Sequence, residues 1–178
     1  AGQSCVGDHF AWFVENCVPE SYEQEARVRG ISIHQLLSEK LSTYKAGASG
    51  LLALDWFNGV RTPLMDFNLN GLIMGMNLLT KPEEIYLSLI EATAYGTRMI
   101  IEGFEEAGLE VKDITLSGGI PIKNEMLVQV YSDVCNRKIK VVDSTQSSAL
   151  GAAILGAAAA PERITAVSYT HLRAHETT

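Results

Sequence analysis

Two short stretches carry the residue types that could hold a ligand. The first is Ser117-Gly118-Gly119, which stands between a predicted strand at 114–117 and a predicted helix at 125–135. Glycines at the end of a strand permit positive φ and remove the Cβ, so a flat ligand can lie directly on the backbone. A following helix aims its free N–H groups, and the positive end of its dipole, at the same space. Such a place suits a nucleotide; an ordinary tight turn has the same residues. Asn124 opens the helix, either as an N-cap worth about 1 kcal/mol or as a hydrogen-bonding partner for a bound base. Lys123 is either a phosphate contact or a solvated side chain. The second stretch is Gly2-Gln3-Ser4, a glycine turn with amide and hydroxyl groups ahead of an aromatic-rich helix.

Other groups read as structural. Asp55, Trp56, Asn58 and Arg61 cluster in one loop, where the arginine is expected to bond carbonyls rather than substrate. Tyr95 and Tyr131 fall within helical patterns as core or rim residues. His171 and His175 are four apart, but no glutamate follows His171 and no third ligand is evident, so no metal site is expected. The sequence holds no nucleophile elbow, no Walker loop and no GxGxxG, and no carboxylate stands out as a general base.

The elements that must position these residues follow from periodicity. Residues 8–18 place Phe10, Phe13, Val14 and Cys17 at helical spacing before Pro19. The polar stretch 19–29 reads as a loop. Ser32 with Gln35 forms a capping box for a helix carrying Ile33, Leu36, Leu37, Leu41 and Tyr44, ended by Gly47 and Gly50. A strand at 51–54 precedes a long irregular loop at 55–70. Thr80 with Glu83 reads as a second capping box, opening the longest helix, which runs to Gly108. Small residues at 92, 96 and 103 predict another backbone close to its face. Strands at 114–117 and 139–142 alternate with helices at 125–135 and 147–160, a β-α-β-α order that argues for an α/β layer with parallel pairing.

A length of 178 residues fits about one domain. Hydrophobic residues at 47% and charged residues at 20% exclude a disordered chain. The balance of 14 basic against 21 acidic residues repels phosphate backbones, and no basic stripe offsets it, so no nucleic acid is expected as partner. Backbone N–H groups can still hold a small phosphorylated ligand. The apolar run at 149–160 falls short of the roughly 18 residues of a bilayer span, so no membrane is expected as partner. With no secretory leader at the start and three widely spaced cysteines, the chain fits the reducing cytoplasm. The stretch 161–178 lacks any period and is expected to be a non-native, scar-like tail.

Longer motifs carry a resemblance. Gly71-Leu-Ile-Met-Gly75-Met, followed after seven residues by Glu84-Ile-Tyr-Leu-Ser-Leu-Ile-Glu91, resembles the second sequence pattern of the FGGY carbohydrate kinases, with Leu89 a mild departure. AGQSCVGDHFAWFVENCVP, LDWFNGVRTP, EIYLSLIEATAYGTRMIIEGF and SSALGAAILGA are similar to the ribulose-phosphorylating branch of that family. The likeness runs from Ala1 to about Ala160. It implies an actin-like, ribonuclease H-type α/β fold, of which 1–160 would be most of the C-terminal kinase domain, incomplete at its end.

The resemblance further implies a two-domain kinase with ATP and Mg²⁺ in the cleft, moving the γ-phosphoryl group to L-ribulose to give L-ribulose 5-phosphate in arabinose catabolism. Gly118 and Gly119 match the glycine turn of the adenosine pocket. Asn124, or less closely Lys123, matches a side chain approaching the adenine; Gly2, Gln3 and Ser4 match a segment near the nucleotide. The general base, the phosphate-gripping turn, a substrate-binding acid and the first domain are expected upstream of Ala1. The fragment alone is therefore expected to be inactive, poorly soluble and without catalytic residues of its own. Two alternatives stand beside this: a kinase for xylulose, glycerol or another polyol, and an α/β packing or homo-oligomerisation module that binds no nucleotide.

Overall fold

The computed structural model describes residues 1–142 and 146–159, apart from the side chain of Lys123, and the backbone of Ala174–Glu176. His171, the side chain of His175 and most of the expected tail lie outside the described residues.

Helix α1 (Asp8–Cys17) buries Phe10 and Phe13, while Cys17 is exposed despite its place in the apolar spacing. The segment predicted as a loop is instead a second helix, α2 (Glu20–Arg29). It lacks an apolar stripe because Ala26 is its one buried residue. Local chemistry makes it: glutamates in the first turn, arginines in the last, and Glu23–Arg27 and Glu25–Arg29 pairs one turn apart. Gly30 closes it at φ +65°, its N–H reaching the carbonyls of Ala26 and Arg27. Helix α3 (Ile33–Lys40) starts as predicted, with Ser32 Oγ accepting from the Gln35 N–H at 3.1 Å, and buries Leu36 and Leu37. It ends well before Gly47.

Strand β1 (Leu52–Leu54) pairs antiparallel with β2 (Leu72–Met74) in the register Leu52↔Met74, Ala53↔Ile73, Leu54↔Leu72. The intervening loop is pinned by a Val60–Asp66 bridge, the Val60 N–H donating to the Asp66 carbonyl at 2.8 Å. Ala53 and Ile73 face the core, while Leu52, Leu72 and Met74 face outward and are exposed.

Helix α4 (Pro82–Glu106) is 25 residues long, about 37 Å at 1.5 Å per residue. Its capping box lies one residue later than predicted: the Lys81 N–H donates to Glu84 Oε2 at 2.8 Å, and Thr80 Oγ1 accepts from Asn77 instead. Tyr86, Leu87, Leu89 and Ile90 form the middle of the core, with Phe10 and Phe13 from α1, Leu37 from α3 and Ala53 from β1. The Tyr86 ring centre lies 5.4 Å from Phe10 and 6.1 Å from Phe13. At Gly96 and Gly103, two of the three small positions on α4, another backbone is not the nearest neighbour. Gly96 faces a side chain, that of Gln3, and Gly103 faces open space.

The second half is α/β. Strand β3 (Ile114–Leu116) leads to a five-residue helix α5 (Gly119–Lys123), then α6 (Glu125–Cys135) and β4 (Ile139–Val142). β3 and β4 pair in parallel, Ile114 opposite Ile139, with α6 as the crossover. Leu127, Val130, Tyr131 and Val134 of α6 are buried against α4. Helix α7 (Ser147–Ala159) follows and buries none of its described residues. Strand β5 (Ala174–Glu176) lies antiparallel on the far edge of β4. Among the described residues no helix is long and apolar enough to cross a membrane.

Candidate functional site

β3 delivers the chain to Gly118, which adopts φ +101°, a conformation that favours glycine. A Cβ built on Gly118 or Gly119 would meet no heavy atom within 4 Å. The backbone here is therefore a bare ledge facing open space. The turn is not the simple tight turn predicted: Gly119 begins α5, so the dipole nearest the ledge is that of a five-residue helix. α6 starts later, and its N-terminus is already occupied. Asn124 is buried, and its Oδ1 accepts from the Leu127 N–H at 3.0 Å. The Tyr86 hydroxyl lies 3.1 Å from His34 Nδ1. The capping role is thus filled, and the Asn124 Oδ1 is engaged inside the protein.

The second stretch lies across the middle of α4. The Gly2 N–H donates to Thr62 Oγ1 at 3.1 Å. Gln3 turns its side chain inward: Nε2 donates to Asp55 Oδ2 at 2.9 Å and to the Thr93 carbonyl at 2.8 Å, and Oε1 accepts from Thr97 Oγ1 at 3.0 Å. Both ends of the Gln3 amide are therefore engaged within the protein. Ser4 Oγ is buried and has no hydrogen-bond partner among the described residues. The two stretches approach one another through Gly7, where a Cβ would lie 3.4 Å from Ile120 Cδ1 of α5.

Asp55 is buried, and burial pushes its carboxyl above the usual carboxylate range, against the opposing pull of the Gln3 amide. Its Oδ2 is engaged by Gln3 inside the protein. Arg61 departs from expectation. Among the described residues it bonds no carbonyl, and its stem lies against Gly2, 3.5 Å from where a Cβ would be. Gln3, Ser4, Asp55, Trp56 and Arg61 line a shared small cavity beside Gly96 and Met99. Tyr95 is exposed, whereas Tyr131 is buried.

Sequence reasoning missed Thr62, Thr93 and Thr97 as partners of the Gly2–Ser4 segment, because nothing in their spacing marks residues so far apart in the chain. It also missed the buried His9, whose Nδ1 lies 3.1 Å from the Cys5 carbonyl oxygen and 3.6 Å from Cys5 Sγ. Burial lowers this imidazole to about 4. Among the described residues no three His, Cys, Asp or Glu side chains converge to hold a metal. What the arrangement offers chemically is a bare backbone ledge, not a set of acids, bases or nucleophiles.

The comparisons with known proteins agree on one family. Residues 1–160 match the C-terminal domain of the FGGY family of carbohydrate kinases. The chain is similar to the ribulokinase of Bacillus licheniformis, 56% identical over 160 residues that cover 90% of this chain and 29% of that protein. It is likewise similar to the ribulokinase of Mycolicibacterium smegmatis, 49% identical over 162 residues, 91% of this chain and 29% of that protein. Among solved structures, a xylulose kinase from Rhodospirillum rubrum superposes with TM-score 0.76 at 22% identity, over 99% of this chain and 34% of that one. The glycerol kinase of Plasmodium falciparum, solved with ADP, gives 0.66 at 23%, over 86% and 28%. The chain spans less than a third of the length of the ribulokinases it matches. The fold is accordingly the actin-like one of these kinases, and the chain belongs to the FGGY family of carbohydrate kinases, matching its C-terminal domain.

Proposed function

We propose that this chain is the nucleotide-side part of an ATP-dependent sugar kinase that phosphorylates L-ribulose to L-ribulose 5-phosphate, a step of arabinose catabolism. The observation that carries the reading is the 56% identity to a ribulokinase over 160 residues. The open ledge at Gly118 and Gly119 supports it, because a planar base could rest there on bare backbone at the end of a strand. In this reading residues 1–160 are the domain and 161–178 a tail foreign to it. Gly118 and Gly119 lie against the purine, and Gly2, Gln3 and Ser4 border the nucleotide through their backbone. Asn124 orders the start of α6 beneath the adenine, and its side chain is committed to that task.

No residue of this chain is assigned the general base or the grip on the γ-phosphoryl group. Those roles, and the sugar site, belong to the partner domain that an FGGY kinase places across the cleft. A base in that position takes the proton from the attacking hydroxyl, and positioning donors stabilise charge on the phosphoryl oxygens. Among the described residues no cluster is fit to hold Mg²⁺. The free cysteines Cys5, Cys17 and Cys135 fit a cytoplasmic location.

The test is calorimetric titration of ATP into the parent chain and into Gly118→Val. The parent is expected to bind weakly and the variant at least tenfold more weakly. Equal, measurable affinity in both would remove the ledge from the site. A second reading, a self-associating module, is favoured by one observation, the exposed apolar outer face of β1 and β2.

A further inference from the structure

The Gly2–Ser4 segment has no secondary structure of its own, yet it is held on two sides. From outside, Thr62 Oγ1 accepts the Gly2 N–H and the Arg61 stem lies against Gly2. From inside, the Gln3 amide enters a notch on α4. Both Nε2 hydrogens are used, one on Asp55 Oδ2 and one on the Thr93 carbonyl, and Oε1 lies 3.0 Å from the Thr97 hydroxyl, whose single proton it shares with the Thr93 carbonyl at 3.0 Å. A primary amide has two donors and one carbonyl oxygen, so this socket matches its chemistry fully.

The notch exists because residue 96 is glycine. A Cβ there would lie 2.4 Å from Gln3 Nε2 and 3.3 Å from Asp55 Oδ2. The nearer distance is one that real Cβ atoms do not show, and the atom it meets is fixed by two hydrogen bonds. Gly96 has no conformational reason to be glycine, since it lies inside a regular helix and outside the left-handed region. Close approach is the reason that remains. Thr93, Gly96 and Thr97 occupy one face of α4, as spacings of three and four residues require.

We propose that Gly96, Asp55 and Thr97 are positioning residues for the nucleotide segment Gly2–Ser4, acting through the Gln3 amide and touching no ligand themselves. The inference rests on the nucleotide reading above, and it assigns this helix notch the task of setting where that backbone stands. Asp55 supplies an acceptor that the protein keeps out of water, and Gly96 supplies the space.

The test is a double-mutant cycle read by ATP titration, with the Gln3 side-chain amide protons followed by NMR in the same 178-residue chain. Gly96→Ala is expected to weaken ATP at least tenfold in the parent background and to add no further loss in Gln3→Ala, where the obstructed group is gone. Asp55→Asn, which keeps an acceptor oxygen, is expected to stay within about threefold of the parent, while Asp55→Ala falls with Gly96→Ala. In the parent the Gln3 amide protons are expected to exchange slowly, and in Gly96→Ala quickly. Additive losses for Gly96→Ala and Gln3→Ala, or an unaltered ATP affinity in Gly96→Ala, would overturn the proposal. Fast exchange in the parent would overturn the socket itself. A parent with slow Gln3 exchange and no ATP binding would overturn the nucleotide role, and with it the reading it rests on, while leaving the anchor standing.

Discussion

His9 carries the clearest single-residue consequence. Its imidazole is buried between the Cys5 carbonyl and the rings of Phe10 and Phe57, and burial lowers it from 6.5 to about 4. A group whose pKa falls on folding stabilises the native state fully above its unfolded value and loses that contribution as pH drops through the folded one. Between pH 7 and pH 4 the protein is therefore expected to lose about 3 kcal/mol through His9, read by urea unfolding at each pH. His9→Gln, neutral throughout, should flatten that part of the profile; an unchanged slope would remove His9 as its source. Asp55 and Glu91 are shifted upward by burial, so they work in the opposite direction and the variant difference isolates the histidine. At Asn124 the expected result is simpler: Asn124→Ala removes the cap of α6 and costs about 1 kcal/mol, measured by thermal unfolding. None of the His9 environment was visible in sequence, because a histidine's burial depends on residues such as Phe57 that the chain brings in from elsewhere. Asn124 was legible as one of two roles, and the hydrogen bond to Leu127 fills the structural one.

At the scale of elements, the helices with an apolar stripe could be read directly. α1, α3, α4 and α6 were each marked by hydrophobic residues three and four apart, and the parallel β3–β4 pair followed from the order of elements around α6. α2 was not legible, since its signal is charge pairing and a glycine cap rather than periodic burial. β2 was hidden for another reason: three residues, with both neighbours of Ile73 facing outward, are too short to set up an alternation. The cap of α4 slipped by one because Thr80 is the better capping residue by type, yet the backbone of Lys81 is what Glu84 reaches. The element that locks α1 to α4 is Phe13, fully buried against Tyr86. Phe13→Ala is expected to destabilise the chain by about 3–5 kcal/mol, measured by denaturant unfolding. A loss under about 1 kcal/mol would mean that the site refills or that α1 is not part of the cooperative unit.

The whole molecule leaves two apolar surfaces without partners among the described residues. One is the outer face of β1 and β2 with Met76, Leu78 and Leu79 beyond it; the other is α7, where Leu150 and Leu155 are exposed. Contiguous exposed apolar area of this kind marks an interaction surface or an aggregation hazard. The chain on its own is expected to self-associate at micromolar concentration and to bind an apolar dye, read by light scattering and fluorescence. Leu72→Lys on the outer strand face should reduce both signals without lowering the melting temperature. A monodisperse, dye-negative parent would contradict this. The family and its fold were legible from the order of long motifs, whereas the division of labour within the site was not, because Gln3, Asp55 and Thr97 meet only after the chain has folded across itself.

The position of α4 also sets a timetable. Phe10 and Phe13 leave the ribosome well before Tyr86, the ring that will cover them, and synthesis at about 5–20 residues per second makes that interval roughly 4–15 s. For that time the first helices are sticky and unfinished, with their greasy sides waiting for a rod that has not been made. A nascent polypeptide in that condition is a natural client for holdase chaperones, and slowing translation of the stretch just ahead of α4 would lengthen its exposure.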